Sequence, residues 1–240
     1  MPSNLPSTVN LGEIGVCVLR VALLDSDCSP LGGNGSGYVT AGIADFTATP
    51  EIEEGTEFAP KNGCGTTLYS YVRQDRIKRY NLQGNLYFFD DEGMYIMFGG
   101  ETILGRAGGD FAGDTIGWAA PNYDAVASNG VYLEVISQRI AEGAGDCVTS
   151  GAGFPKYTGH IFGKVLMTPG ELSLQDDAIQ MPFTGKALAN PSLFNGPWND
   201  YPGAGYAKNS PYQRVGYTQD EYDAILADVA AGWADLPAGS

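Results

Sequence analysis

Hydrophobic and polar positions in this chain alternate far more often than they recur at helical spacing. Between Tyr80 and Phe88, the side chains of Tyr80, Leu82, Leu86 and Phe88 share one side of a strand. Asn81, Gln83 and Asn85 share the other. The dry side belongs on a core, and the wet side carries amides where a free surface usually carries Lys and Glu. The same period of two returns in "AIQMPFTGKA" (178–187), with Ile179, Met181 and Phe183 opposite Gln180, Thr184 and Lys186. The runs "GVCVLRVALLD" (15–25), "GVYLEVISQR" (130–139) and "GHIFGKVLM" (159–167) read as buried strands, the first broken by Arg20. "YVTAGIADFTATPEI" (38–52), "TTLYSYV" (66–72) and "RIKRYNLQGNLYFF" (76–89) add three more, with Pro50 marking an edge or a bulge.

Helical signals are few. In "DDEGMYIMF", Asp90 or Asp91 can cap a short helix, Glu92 favours its positive end, and Gly99 stands where a left-handed C-cap is needed. Near the end of the chain Thr218 and Glu221 form a capping box, and Tyr217 can staple to Tyr222. Tyr222, Ile225, Leu226, Val229 and Trp233 then make one apolar stripe, which must bury itself on its own domain or on a neighbouring subunit. "LGGNGSG" (31–37) reads as a flexible loop, 101–129 as irregular, and 190–217 as an extended arm. The expected division is an N-terminal arm (1–14), a β domain (15–189), and a C-terminal arm (190–240) carrying a helix over 219–232.

Composition supports the β reading. The 34 glycines and 14 prolines in 240 residues demand many turns and follow no collagen period. With 13 basic against 28 acidic residues, the net charge of −15 argues against a protein that grips nucleic acid by its phosphates. The longest apolar run is too short to span a bilayer, and "MPSNLPSTVN" has no signal-peptide character. Cys17, Cys28, Cys64 and Cys147 show no C-x-x-C pairing and read as buried free thiols.

Candidate chemistry is sparse. The single histidine, His160, sits in the apolar strand "TGHIFGK" and reads as a satisfied strand residue. The carboxylate pairs Asp25/Asp27, Glu53/Glu54 and Asp176/Asp177 fit turns and caps, with an irregular calcium site as the alternative at the first and last. No phosphate-cradling glycine motif is present. The one basic cluster, "RQDRIKR" (73–79), is expected to meet acidic residues of a neighbour or of the same domain. No catalytic residue, metal or cofactor follows from these patterns, so the chain reads as a non-enzyme.

One resemblance organises these pieces. The ordered run "RVALLDSDCSPLG … GYVTAGIADFTATPEIEEGTEFAPKNGCGTTLYSYVRQDRIKRYNLQGNLYFFDDEGMYIMFGG", followed by "GVYLEVISQR" and "MPFTGKALANPSLFNGPW", resembles major tail tube proteins of siphoviruses infecting actinobacteria. It covers roughly residues 19–100 and 130–198. The resemblance implies an antiparallel β-sandwich or flattened barrel of tail-tube type with a short flanking helix, long loops, and an extended C-terminal arm ending in a helix. It also implies hexameric rings, assembled in the host cytoplasm, that stack into the virion tail tube through which double-stranded DNA passes without specific binding. Partners would be other copies of the chain and the tape-measure, tail-terminator and distal-tail proteins, with no membrane. On this reading Arg76, Lys78, Arg79, Tyr38, Trp198, Tyr222 and Trp233 are expected at subunit interfaces, and Asn81, Gln83, Asn85, Glu53 and Glu54 on the lumen. A capsid decoration or tail-terminator protein is the alternative, and a carbohydrate-binding β-sandwich module the next.

Overall fold

The computed structural model describes residues 11–31, 33–87, 90–122, 130–141, 156–172, 179–192, 209–229 and 233–236. The strands are β1 (Leu11–Leu23), β2 (Gly33–Thr40), β3 (Ile43–Glu53), β4 (Glu57–Phe58), β5 (Tyr71–Val72), β6 (Arg76–Leu86), β7 (Glu101–Leu104) and β8 (Thr115–Ala119). They continue as β9 (Val131–Ala141), β10 (Tyr157–Pro169), β11 (Met181–Leu188), β12 (Gln213–Tyr217) and β13 (Trp233–Leu236). Two helices, α1 (Asp91–Phe98) and α2 (Gln219–Val229), complete the described elements. The fold is mainly β and antiparallel. One sheet runs β13-β2-β1-β9-β10-β11-β6-β3, and β12 also pairs with β10.

That sheet curls over itself. The ring of Phe46 on β3 lies 5.7 Å from that of Phe162 on β10, although β11 and β6 separate those strands in the sheet. Leu19, Leu82, Leu133, Phe162, Val165 and Phe183 fill the space between the two layers. Helix α1 plugs one end with Met94, Ile96, Met97 and Phe98. Asp90 caps it by accepting from the Gly93 amide (2.6 Å), and Gly99 ends it at φ 74°. A side chain at Gly93 would meet the Tyr38 ring at 2.6 Å, so that glycine lets the tyrosine lie against the helix.

The other face of β1, β9 and β10 is also buried, which explains why those strands read as continuous apolar runs. Val18, Val39, Ile136 and Tyr217 pack under Tyr222 and Ile225 of α2. In the middle of this layer lies an ion pair. Arg20 and Glu134 face each other across β1 and β9, and both are almost wholly excluded from solvent. Arg20 Nε and Nη2 donate to Glu134 Oε2 at 2.9 and 2.6 Å. Tyr217 Oη donates to Glu134 Oε1 at 2.6 Å, and Tyr132 Oη to Oε2 at 3.3 Å. A Cβ at Gly159 would come within 2.3 Å of Glu134 and 2.6 Å of the Tyr217 ring, so the glycine makes room for the pair.

Strand β10 shares one edge between two partners. Residues 157–161 pair with β12, and residues 164–169 with β11. At the handover the Asn190 amide, fully buried, donates to Gly163 O (2.8 Å) and Cys28 O (2.9 Å).

Several expectations change. The glycine-rich 31–37 stretch is largely strand β2, which pairs with β1 and with β13. Strand β1 begins at Leu11, inside the expected N-terminal arm, and bulges between Ile14 and Val18. Residues 213–217 of the expected C-terminal arm are strand β12 of the main sheet. Of 66–72 only Tyr71–Val72 is strand, and 101–129 contains the β7–β8 hairpin. Trp233 leaves the helical stripe, because it begins β13 opposite Tyr38. Residues 230–232, the expected end of the helix, lie outside the described residues. Cys17, Cys28 and Cys64 are free thiols but none is fully buried: Cys17 and Cys28 are partly exposed, and Cys64 is exposed in a turn. Cys147 also lies outside the described residues.

The polar cluster yields the first prediction. Glu134→Leu strands a buried guanidinium and should cost about 3–5 kcal/mol. Adding Arg20→Met should recover much of that loss, as read by urea denaturation of wild type, both single variants and the double.

Candidate functional site

Three features present themselves: a cavity at the end of the sandwich opposite α1, two hairpins that leave the body, and a bare polar sheet face.

The cavity holds about 610 Å³ and opens beside the β1 bulge. Phe46, Ala48, Tyr80, Phe162 and Tyr212 make its apolar wall. Glu13, Ser137 and His160 make its polar wall. His160 Nε2 lies 2.9 Å from Glu13 Oε2 and 3.1 Å from Ser137 Oγ, while Nδ1 lies 2.9 Å from Tyr212 Oη. Glu13 Oε1 also accepts from Thr158 (2.7 Å) and from Arg214. A serine nucleophile activated by histidine needs the carboxylate on the ring nitrogen away from the serine. Here serine and carboxylate share Nε2, and a tyrosine hydroxyl occupies Nδ1. The arrangement is a closed hydrogen-bond cluster, with each ring nitrogen partnered. Burial, helped by the Arg139 charge, holds the His160 pKa below its ordinary value, against an opposing pull from Glu134. The Glu13 carboxylate is already matched by Arg214, so its proximity does not reverse that direction.

The first hairpin is the outward continuation of β3 and β6 through β4 and β5. Ile52, Phe58, Leu68, Tyr71, Val72 and Ile77 on it are all about half exposed or more, Tyr71 reaching 64%. The second, β7–β8, exposes Ile103, Leu104, Phe111 and Ile116. It is anchored to the body by Trp118, whose Nε1 donates to Gly99 O at 2.7 Å. Large apolar side chains gathered on protrusions mark contact surfaces.

The polar face joins β3, β6 and β11. Thr47, Gln83 and Thr184 stand in register across it, as do Thr49, Asn81 and Lys186. Asn85 Nδ2 donates to Asp45 at 2.8 Å. The wet side of β6 therefore looks outward from the second layer, beside threonines and amides, with few charges and no helix on it among the described residues.

The expected site residues distribute as follows. Asn81, Gln83 and Asn85 lie on this polar face. Arg76 pairs with Glu53 at 2.8 Å, and Lys78 and Arg79 both meet Glu51, at 3.5 and 2.5 Å. The basic cluster thus answers acids of its own hairpin, and Arg76 and Glu53 occupy one surface, not an interface and a lumen wall apart. Glu54 is exposed where the hairpin leaves the body. Tyr38 is only 3% exposed and belongs to the chain's own core. Tyr222 is buried too, stacked on Tyr157 at 3.7 Å between ring centroids. Of the expected interface residues, Trp198 and the side chain of Trp233 lie outside the described residues.

The chain matches no family model and no curated protein sequence.

Among the described residues no group of three or more His, Cys, Asp or Glu side chains could hold a metal ion. The Asp25/Asp27 turn spends its oxygens on backbone amides, with Asp25 accepting from Asp27 N (2.9 Å) and Ser29 N (3.3 Å). Asp176 and Asp177 lie outside the described residues. No helix among the described residues is long and apolar enough to cross a membrane.

Because His160 is the single histidine, its titration can be read in isolation. Its folded-state pKa lies below the unfolded value of 6.5, so the unfolded chain takes up the proton first as pH falls. Stability should be full above about pH 7 and decline as pH drops through 6.5. His160→Gln should flatten that slope in urea melts run from pH 8 to 5.5.

Proposed function

We propose that this chain is the major tail tube protein of a long-tailed phage of actinobacteria, assembling as hexameric rings that stack into the conduit for DNA ejection. One observation carries the reading: a closed β body that keeps its core dry yet holds two hairpins of apolar side chains out in water. Such surface is costly for a monomer, at roughly 25 cal/mol per Å² of apolar area, and is recovered by burial against neighbours. Contacts of that kind, made head to tail, close rings or stack without limit. The motif order of the resemblance supplies the particular assembly.

The two outer faces give the subunit a direction. The face of β1, β9 and β10 is covered by α2, so it belongs outside or between subunits. Among the described residues nothing covers the face of β3, β6 and β11, which is polar and carries few charges, so it belongs on the lumen. Double-stranded DNA carries one negative charge per ~1.7 Å of axis, and a basic wall would hold it by counterion release. Here Arg76, Lys78 and Arg79 are matched by Glu51 and Glu53, and the threonines and amides offer nothing that binds phosphate strongly. At a net −15 per chain, acidic groups repel the polyanion only within a Debye length of ~8 Å. DNA can then slide. Tape-measure, terminator and distal-tail proteins would meet the ends of the tube.

Negative-stain electron microscopy of the purified chain over a range of concentrations, with sedimentation velocity on the same samples, tests this. Hollow tubes or six-fold rings are the expected result. A chain that stays monomeric and forms no tube even when a tail-tip preparation is added would overturn it. Trimers or single rings that never stack would move the reading to a decoration or terminator protein.

A further inference from the structure

The cavity beside the β1 bulge has an apolar body and a charged rim, and the two suit different ends of one molecule. Phe46, Ala48, Tyr80, Phe162 and Tyr212 line the body. The rings of Tyr80, Phe162 and Tyr212 pack on one another with centroids 5.3 to 6.0 Å apart. The polar groups of the wall are already answered. Glu13, Ser137 and His160 bond one another, and Tyr212 Oη meets His160 Nδ1. The Asp45 carboxylate turns away, to Asn85 on the outer face. An occupant of the body therefore needs no polar groups of its own. At about 610 Å³ the space falls within the roughly 300–1,000 Å³ of small-molecule sites.

The rim is basic, although the chain carries a net charge of −15. Arg139 stands opposite Glu13 across β9 and β1, on the side where Val135 and Ser137 line the cavity. Its Nε donates to Thr158 Oγ1 at 2.5 Å, and Thr158 in turn donates to Glu13 Oε1 at 2.7 Å. The remaining guanidinium N–H groups meet no carboxylate among the described residues. Burial holds the Arg139 pKa below its ordinary value, with no acid pulling the other way. Lys156, whose carbonyl accepts from the Arg139 amide, precedes β10 on the side of Thr158 and His160. Its ammonium likewise has no partner among the described residues. Arg214, opposite His160 on β12, is committed to Glu13. Among the described residues, three cations thus share one carboxylate at the mouth.

A partly buried guanidinium with open N–H groups beside a dry aromatic hole narrows the choice of guest. A neutral apolar molecule would leave Arg139 unanswered, and the rim would repel a cation. A small anion would leave the hole empty. A carboxylate on Arg139 makes a charge-assisted hydrogen bond in surroundings that screen it less than water does. We infer that the cavity binds an amphiphilic carboxylate, with its apolar body among Phe46, Tyr80, Phe162 and Tyr212 and its head on Arg139 and Lys156. The site is built within one chain, so it goes beyond the tube reading and does not depend on it.

The single histidine provides a reporter inside the wall. The His160 Hε1 resonance is followed by NMR while dodecanoate, dodecanol or dodecylammonium is added to the full chain below its micelle concentration. Naphthoate, a carboxylate on an aromatic body, is titrated in the same way. Dodecanoate should shift the signal saturably and bind about tenfold tighter than dodecylammonium, with dodecanol between them. Arg139→Gln should weaken dodecanoate about tenfold and leave dodecanol nearly unchanged, while Arg139→Lys should restore most of the preference. Ala48→Trp fills the body and should abolish the shift. Ala44→Trp fills it from another lining position, so misfolding of one variant, seen by circular dichroism, leaves the other. A His160 signal unmoved by both carboxylates would overturn the site, and amphiphile held only on the exposed hairpins gives that result. So would heads of every charge binding alike, or an Arg139→Gln chain that binds dodecanoate like wild type.

Discussion

Everything on the helix-covered side of this molecule depends on the Arg20–Glu134 pair. A guanidinium and a carboxylate shut away from water each carry a desolvation cost of several kcal/mol, and they are tolerable only when their hydrogen bonds are met. Meeting them recruits distant parts of the chain. Glu134 accepts a hydrogen bond from Tyr217 on β12 and another from Tyr132. The space for this comes from Gly159 on β10. Strands β1, β9, β10 and β12 are thus registered against one another by a single polar cluster in an otherwise apolar layer. Hydrophobic contact alone would tolerate a slip of β12 along β10, whereas the Tyr217–Glu134 bond does not.

From that registration follows the asymmetry on which the functional reading rests. Once β12 is fixed, α2 begins immediately behind it and covers the outer face of β1 with Tyr222 and Ile225. Among the described residues no comparable element covers β3, β6 and β11. The sheet therefore has one face sealed by helix and one given to threonine, asparagine and glutamine. The hairpin that extends β3 and β6 ties Arg76, Lys78 and Arg79 to Glu51 and Glu53 and leaves its large apolar groups exposed. A surface arranged that way presents little net charge to a polyanion and much apolar area to another protein.

Features of this fold were legible in the sequence where the physics is local. The Asp90 cap and the Thr218–Glu221 capping box span three residues, and both form as expected, with Glu221 Oε2 accepting from Thr218 N at 2.7 Å. The alternation along β6 was readable because each residue's side is set by its neighbours. Strand β2 was not, since glycines carry no side-chain pattern and the segment is held by β1 on one side and β13 on the other. Tyr38 looked like a surface aromatic because nothing local announces the space above Gly93. The partners of His160 lay out of reach for the same reason: Glu13 is 147 residues away. The exposed hairpin was hidden differently. "TTLYSYV" has the composition of a core strand, and only the exposure of Leu68, Tyr69, Tyr71 and Val72 shows it to be surface.

The arrangement of β12 also imposes an order in time. Tyr217 reaches Arg20 across 197 positions of chain, and synthesis at about 5–20 residues per second takes roughly 10–40 s to cover that length. During that interval β1 and β9 can pair, but their charged centre stands without its tyrosine lid. Meanwhile the sticky segments around Phe58 and Phe111 have already emerged from the ribosome. The chain is therefore made with its exposed apolar segments early and the tyrosine that closes its buried ion pair late. The half-made chain is where unscheduled association is most dangerous, until β12 arrives to close the Arg20–Glu134 pair.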